Sequence, residues 1–78
     1  MKTLDYKTYY SLLNHIDLVQ IKFEIDYDLD TLRDIDFYIE LLQDMLDNYI
    51  ISDYTYYFDI QSRLLKLKDR LNTYKLVV

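Results

Sequence analysis

Three times along this chain, apolar residues recur at steps of three and four, and that spacing admits one kind of secondary structure. In the clearest stretch, residues 32–49, Leu32, Ile35, Ile39, Leu42, Leu46 and Tyr49 all fall on one side of an α-helix. The stretch is longer than most strands and lacks their period-two alternation. Tyr9, Leu12, Ile16, Val19 and Phe23 repeat the spacing upstream, and Tyr57, Ile60, Leu64, Leu67, Leu71 and Tyr74 repeat it downstream. The spacing predicts helices over about residues 4–24, 31–50 and 54–76. Joined by short connections, they make an all-α, antiparallel three-helix bundle, one domain over residues 1–78. Because the intervening surface residues differ, the shared spacing marks a helical core and not a duplicated sequence.

The helix ends are read from side chains that can accept from free backbone N–H groups. Thr3 is the candidate cap of the first helix, with Asp5 in its first turn; Asp28 or Asp30 caps the second, and Ser52 or Asp53 the third. One stretch is ambiguous. Ile21, Phe23, Ile25, Tyr27 and Leu29 alternate with Lys22, Glu24, Asp26, Asp28 and Asp30, as in a strand. An acid at almost every second position, and no evident strand to pair with, favour a helix ending near Ile25 and a short acidic connection.

The sequence contains no Gly and no Pro, so the usual helix breakers and tight-turn formers are missing, which favours helices over hairpins. Ala is missing too, although it is the best helix former. Ala, Gly and Pro have GC-rich codons, whereas Ile, Tyr and Lys, all well represented here, have AT-rich ones. The composition therefore reads as that of an AT-rich gene, as in a low-GC bacterium, its phage or another virus. The lack of Cys excludes disulfides and thiolate metal ligands. No apolar run approaches a leader or the roughly 20 residues of a membrane span, so the cytoplasm is the expected compartment and no membrane is expected as a partner.

Charge is unevenly distributed. Residues 17–59 carry twelve acids against Lys22 and Arg33, a net of −10, while residues 60–78 carry five bases against Asp69, a net of +4. Residues 1–16 add +1, giving the overall −5. Phosphate repels such an acidic middle, so direct nucleic-acid binding is not expected, and a basic protein surface is the more natural partner.

The acids concentrate in Glu24, Asp26, Asp28, Asp30, Asp34 and Asp36. They suit docking onto a Lys/Arg-rich surface or imitation of the charge line of a nucleic acid; capping and dipole compensation is the plainer account. Asp26, Asp28 and Asp30 also have the spacing that opens a calcium loop, but Thr31 stands where such a loop needs Gly and Phe37 where it needs a bidentate Glu. No metal or cofactor is expected. Opposite the core stripe of the second helix, Phe37 and Leu41 sit among Asp34, Glu40, Asp44 and Asp47, the makeup of a contact spot facing a basic, partly apolar groove. Phe37 has two further fates, internal packing or a dimer interface. The first helix has a second apolar row, Leu18, Ile21 and Ile25, which is either sandwiched within the fold or meets another molecule.

In the third helix, Arg63, Lys66 and Arg70 form a row expected to pair with acids of a neighbouring helix and with the helix dipole. Tyr54, Tyr56, Tyr57 and Phe58 make the densest aromatic patch, with Tyr57 in the core, Phe58 widening it, and Tyr54 and Tyr56 partly exposed. Catalysis has little support: His15 is the sole histidine, placed as a partly exposed helix residue, and no glycine loop is present to cradle phosphate.

The expectation is a small acidic non-enzymatic protein-binding module that occupies a basic surface of a larger, nucleic-acid-handling protein. Its specific form is a phage or mobile-element inhibitor of anti-CRISPR or anti-restriction type, with Tyr54 as a further anchor. The alternatives are a homodimeric structural bundle joined through Leu18, Ile21 and Ile25, and a small transcription regulator using the basic row.

Overall fold

The computed structural model describes residues 2–25 and 28–77. Three helices follow one another, α1 (Tyr6–Ile25), α2 (Leu29–Asp47) and α3 (Tyr54–Val77), and every pair is in contact. The three form an elongated bundle measuring 40 × 18 × 17 Å.

Thirteen of the seventeen stripe residues are buried, and the other four, Tyr9, Tyr49, Tyr57 and Tyr74, are half-buried against them. That division follows from chemistry: each tyrosine buries its ring and keeps its hydroxyl within reach of water or a polar partner. Phe23 is the largest wholly buried side chain. The Arg70 guanidinium lies 5.0 Å from the centre of its ring and the Tyr74 ring 5.5 Å away, so a cation and an aromatic close the core at that end.

One core residue lies outside the periodic pattern. Leu4 is fully buried, although it precedes α1. The N-terminal segment runs parallel to the α2–α3 connection for one step, with Leu4 N–H donating to Ile50 O and Ile50 N–H to Lys2 O, both at 2.9 Å. This pairing corrects two expectations. Thr3 does not cap α1, because it forms the bridge to Ile50. The cap is Asp5, one residue before the helix: its Oδ1 accepts from Thr8 N–H at 2.8 Å, and that hydrogen bond holds its carboxyl below the usual range.

The second helix starts two residues earlier than the spacing predicts and stops three residues sooner, at Asp47 rather than Ile50. Asp28 is its cap, accepting from Thr31 N–H at 2.7 Å. At the other end Asn48 terminates it by bonding Asp44 O through its side-chain Nδ2 at 2.8 Å. No described residue has positive φ, so this glycine-free chain ends α2 on a right-handed Asn in place of a left-handed cap. Asp53 caps α3 by accepting from Thr55 N–H at 2.9 Å. Of the ambiguous acidic connection, Ile25 ends α1 as expected and Asp26 and Tyr27 lie outside the described residues.

The basic row of α3 pairs differently from the expectation. Arg63 bonds Asp59 of its own helix at 3.1 Å, and Arg70 turns onto Phe23 and the Tyr74 hydroxyl. The ion pair between α3 and α2 is made instead by Lys75, whose Nζ donates to Asp36 at 2.8 Å. Phe58 does not widen the core; it is exposed beside Tyr54. The reason is helical phase: Phe58 follows the inward Tyr57 by about 100° and lands on the outer side.

Candidate binding faces

The α2 outer face is built by the same periodicity that builds the core. Phe37 stands half a turn from the mean direction of Ile35, Ile39 and Leu42, so burying them forces it outward. It is 71% exposed, and Leu41 and Met45 continue its row at 43% and 36%. Asp30, Asp34, Glu40, Asp44 and Asp47 surround this row and are all exposed. With Asp36 the helix carries six carboxylates against Arg33, a net of −5 along roughly 25 Å. Met45 continues the exposed row as the i+4 successor of Leu41, a spacing present in the sequence that the core stripe beside it overshadowed.

Not every expected residue is free to serve. Asp28 spends its carboxylate on the helix cap, and Asp36 is committed to Lys75. Asp47 accepts from Gln43 at 3.1 Å and remains exposed. Glu24 lies in the last turn of α1, away from the α2 row in sequence and helix, while Asp26 lies outside the described residues. Tyr54 is exposed, yet it belongs to α3 and packs with Tyr57 and Phe58 at ring separations of 6.2 and 5.8 Å. Among its described members the six-acid cluster of the sequence is thus divided: Asp30 and Asp34 join the α2 face, Asp28 caps, Asp36 pairs and Glu24 belongs to α1.

Beside the acidic face, α2 and α3 leave an open groove of about 270 Å³. Glu40 and Asp44 form one wall, Leu65 and Lys68 the other, and a Gln43–Gln61 hydrogen bond of 2.8 Å ties the two helices across it. The groove therefore extends the α2 face towards the exposed Leu65.

One of the two expectations for the second apolar row of α1 falls away. Leu18, Ile21 and Ile25 are exposed, Ile25 at 77%, so the row is not sandwiched within the fold. Tyr6 and Tyr10, stacked with ring centres 6.3 Å apart, prolong the exposed face towards the helix start.

Polar groups between helices serve to hold them. The Tyr9 hydroxyl donates to Asp59, which raises the phenol pKa, and the same hydrogen bond, with Arg63, keeps the Asp59 carboxyl below its usual range. His15 Nδ1 and the Tyr38 hydroxyl lie 2.7 Å apart, joining α1 to α2. Among the described residues no three His, Asp or Glu side chains are placed to hold a metal ion, and no helix is long and apolar enough to cross a membrane. Comparison with protein-family models, curated proteins and solved structures finds no match to this chain.

Proposed function

We propose that the chain is a non-catalytic protein-binding module that presents the outer face of α2 to a basic surface on a larger protein. The observation that carries this reading is the exposed Phe37–Leu41–Met45 row bordered by five exposed carboxylates. Apolar anchors supply affinity once water is excluded, while the acids around them select a Lys/Arg-rich partner and steer the encounter. The acids follow one another along the exposed side of α2, so the surface that fits them best is one made to hold a nucleic-acid backbone. In its specific form the module is a phage or mobile-element inhibitor that blocks the nucleic-acid channel of a defence nuclease, a role in keeping with the AT-rich composition.

The test is affinity capture from host-cell extract at low and high salt, followed by a nucleic-acid competition assay on whatever protein is retained. The reading requires a basic, nucleic-acid-handling protein that is released by salt and whose nucleic acid competes with the module. Phe37→Ala combined with Leu41→Ala should abolish capture while the helical signal stays unchanged. Retention that ignores both salt and the double substitution would refute the assignment of this face.

A further inference from the structure

The exposed face of α1 carries information about its own occupant. Written as a heptad, Leu18, Ile21 and Ile25 take the a, d and a positions of a seam, and Asn14 takes the preceding d. The flanks of this seam differ in sign. Asp17 and Glu24 occupy g positions on one side, and Lys22 occupies the e position on the other. These three are exposed, as are the seam residues.

We infer that α1 pairs in parallel with α1 of a second copy of this chain, and that Asp17 of each copy bonds Lys22 of the other. Charge complementarity fixes both the occupant and the direction. In a parallel pair the g flank of one helix meets the e flank of its partner five residues on, and Asp17 and Lys22 are five residues apart. Two-fold symmetry makes the contact twice. An antiparallel pair sets like flanks together, so that Asp17 of one copy would face Glu24 of the other and the lysines would also approach each other. Lys22 now rests 5.6 Å from the centre of the Tyr38 ring, and its long, exposed side chain reaches the partner's carboxylate by rotating outward. The seam extends only from Asn14 to Ile25, because Lys7 and Ser11 occupy its earlier positions. The dimer is accordingly of the small, reversible class, below about 1,200 Å² of total buried area. The contact is made by α1 residues, of which Lys22 and Ile25 share a depression with Thr31 and Asp34 of α2, and it leaves the Phe37 row out.

The absence of native cysteine makes the direction testable. Ile25→Cys and Leu18→Cys are prepared separately, oxidised at about 100 µM, and compared with an equal mixture of the two; unmodified protein is weighed by sedimentation equilibrium up to about 1 mM. Parallel pairing gives a disulfide dimer from each variant alone and no cross-linked species joining the two variants. An antiparallel pair centred near Ile21 holds the thiols of two Ile25→Cys chains about 10 Å apart along the axis, beyond disulfide reach, and gives the mixed dimer alone. That result, or a monomer at every concentration, would overturn the proposal. Leu18→Glu with Ile21→Glu, both at exposed positions, should leave the helical signal intact and abolish the dimer; a dimer that persists would equally overturn it. Asp17→Lys should weaken association about tenfold even though it reduces the net charge of each chain, and adding Lys22→Asp should restore it. Association unchanged by Asp17→Lys would refute the ion pairing.

Discussion

Leu4 is the residue whose loss should expose most about how the bundle is closed. It lies outside every helix, is fully buried, and is held by the backbone pairing with Ile50. Leu4→Ala removes three carbons from a site with no exposure. Buried Leu→Ala changes cost about 2–5 kcal/mol, and a terminal segment relaxes more readily than a helix interior, so we expect about 2–3 kcal/mol. A domain of this size has a total stability of roughly 4–12 kcal/mol, so the loss is a large share of it. It corresponds to a fall in Tm of about 10–20 °C. Urea unfolding followed by circular dichroism measures the change as a lower midpoint with an unaltered slope. Leu76→Ala, at a position 89% exposed, is the control and should move stability by less than about 0.5 kcal/mol. If Leu4→Ala behaved like that control, the N-terminal segment would not be seated on the core, and the account of the fold's closure would fail.

The remaining predictions concern caps, core covering and pH. Asp28→Ala should cost about 1 kcal/mol by freeing Thr31 N–H, whereas Thr3→Ala should be nearly neutral in the same urea assay; equal costs would restore Thr3 as a cap. Arg70→Ala should destabilise by about 1 kcal/mol through the uncovered Phe23 ring, with Lys66→Ala as the silent comparison. The Tyr9–Asp59 hydrogen bond should stabilise the fold by about 1 kcal/mol at neutral pH. Because the folded Asp59 carboxyl titrates below its ordinary value, that contribution is full above about pH 4 and declines as pH falls through the lowered value. The raised phenol of Tyr9 adds the opposite limb, lost as pH rises beyond about 10. The stability difference between wild type and Tyr9→Phe, measured in urea from pH 2 to 7, should therefore shrink towards the acid end; a constant difference would refute the link.

How much of this was legible depends on whether the signal was periodic. All seventeen stripe residues lie in or against the core, because a helix that must bury one side reports that side directly in its spacing. Leu4 could not be found that way. Its burial arises from a pairing with Ile50, forty-six positions away, and neither residue belongs to a repeating pattern. Caps were partly legible: Asp28 and Asp53 are residues of the right type just before an amphipathic run, but Thr3, expected to cap the first helix with Asp5 in its first turn, is drawn into the Ile50 bridge, and Asp5 takes the cap. The α3 bases were misassigned for a related reason. Opposite charge on α2 attracts them in principle, yet Asp59 lies one turn from Arg63 and the Phe23 ring lies beneath Arg70, and the nearer partner prevails.

The outward faces pose a different problem, because exposure identifies a surface without identifying what meets it. Here the charge pattern carries the distinction. On α2 the exposed Phe37 row is bordered by acids with Arg33 as the lone base, so two copies brought together through that face would oppose carboxylate to carboxylate; the face suits a foreign, basic partner. On α1 the seam has an acid flank and a basic flank, so a second copy satisfies both without any other molecule. Each face lies opposite its own helix's core stripe, and in a bundle of three helices those directions diverge. The two faces meet at the depression lined by Lys22, Ile25, Thr31 and Asp34, but Phe37, Leu41 and Met45 lie outside it, so the two interactions together would give a bivalent particle. Bivalency raises apparent affinity for a partner displaying two basic sites within reach, with no new contact. Leu18→Glu with Ile21→Glu should then weaken binding to such a partner while leaving binding to a single isolated site unchanged.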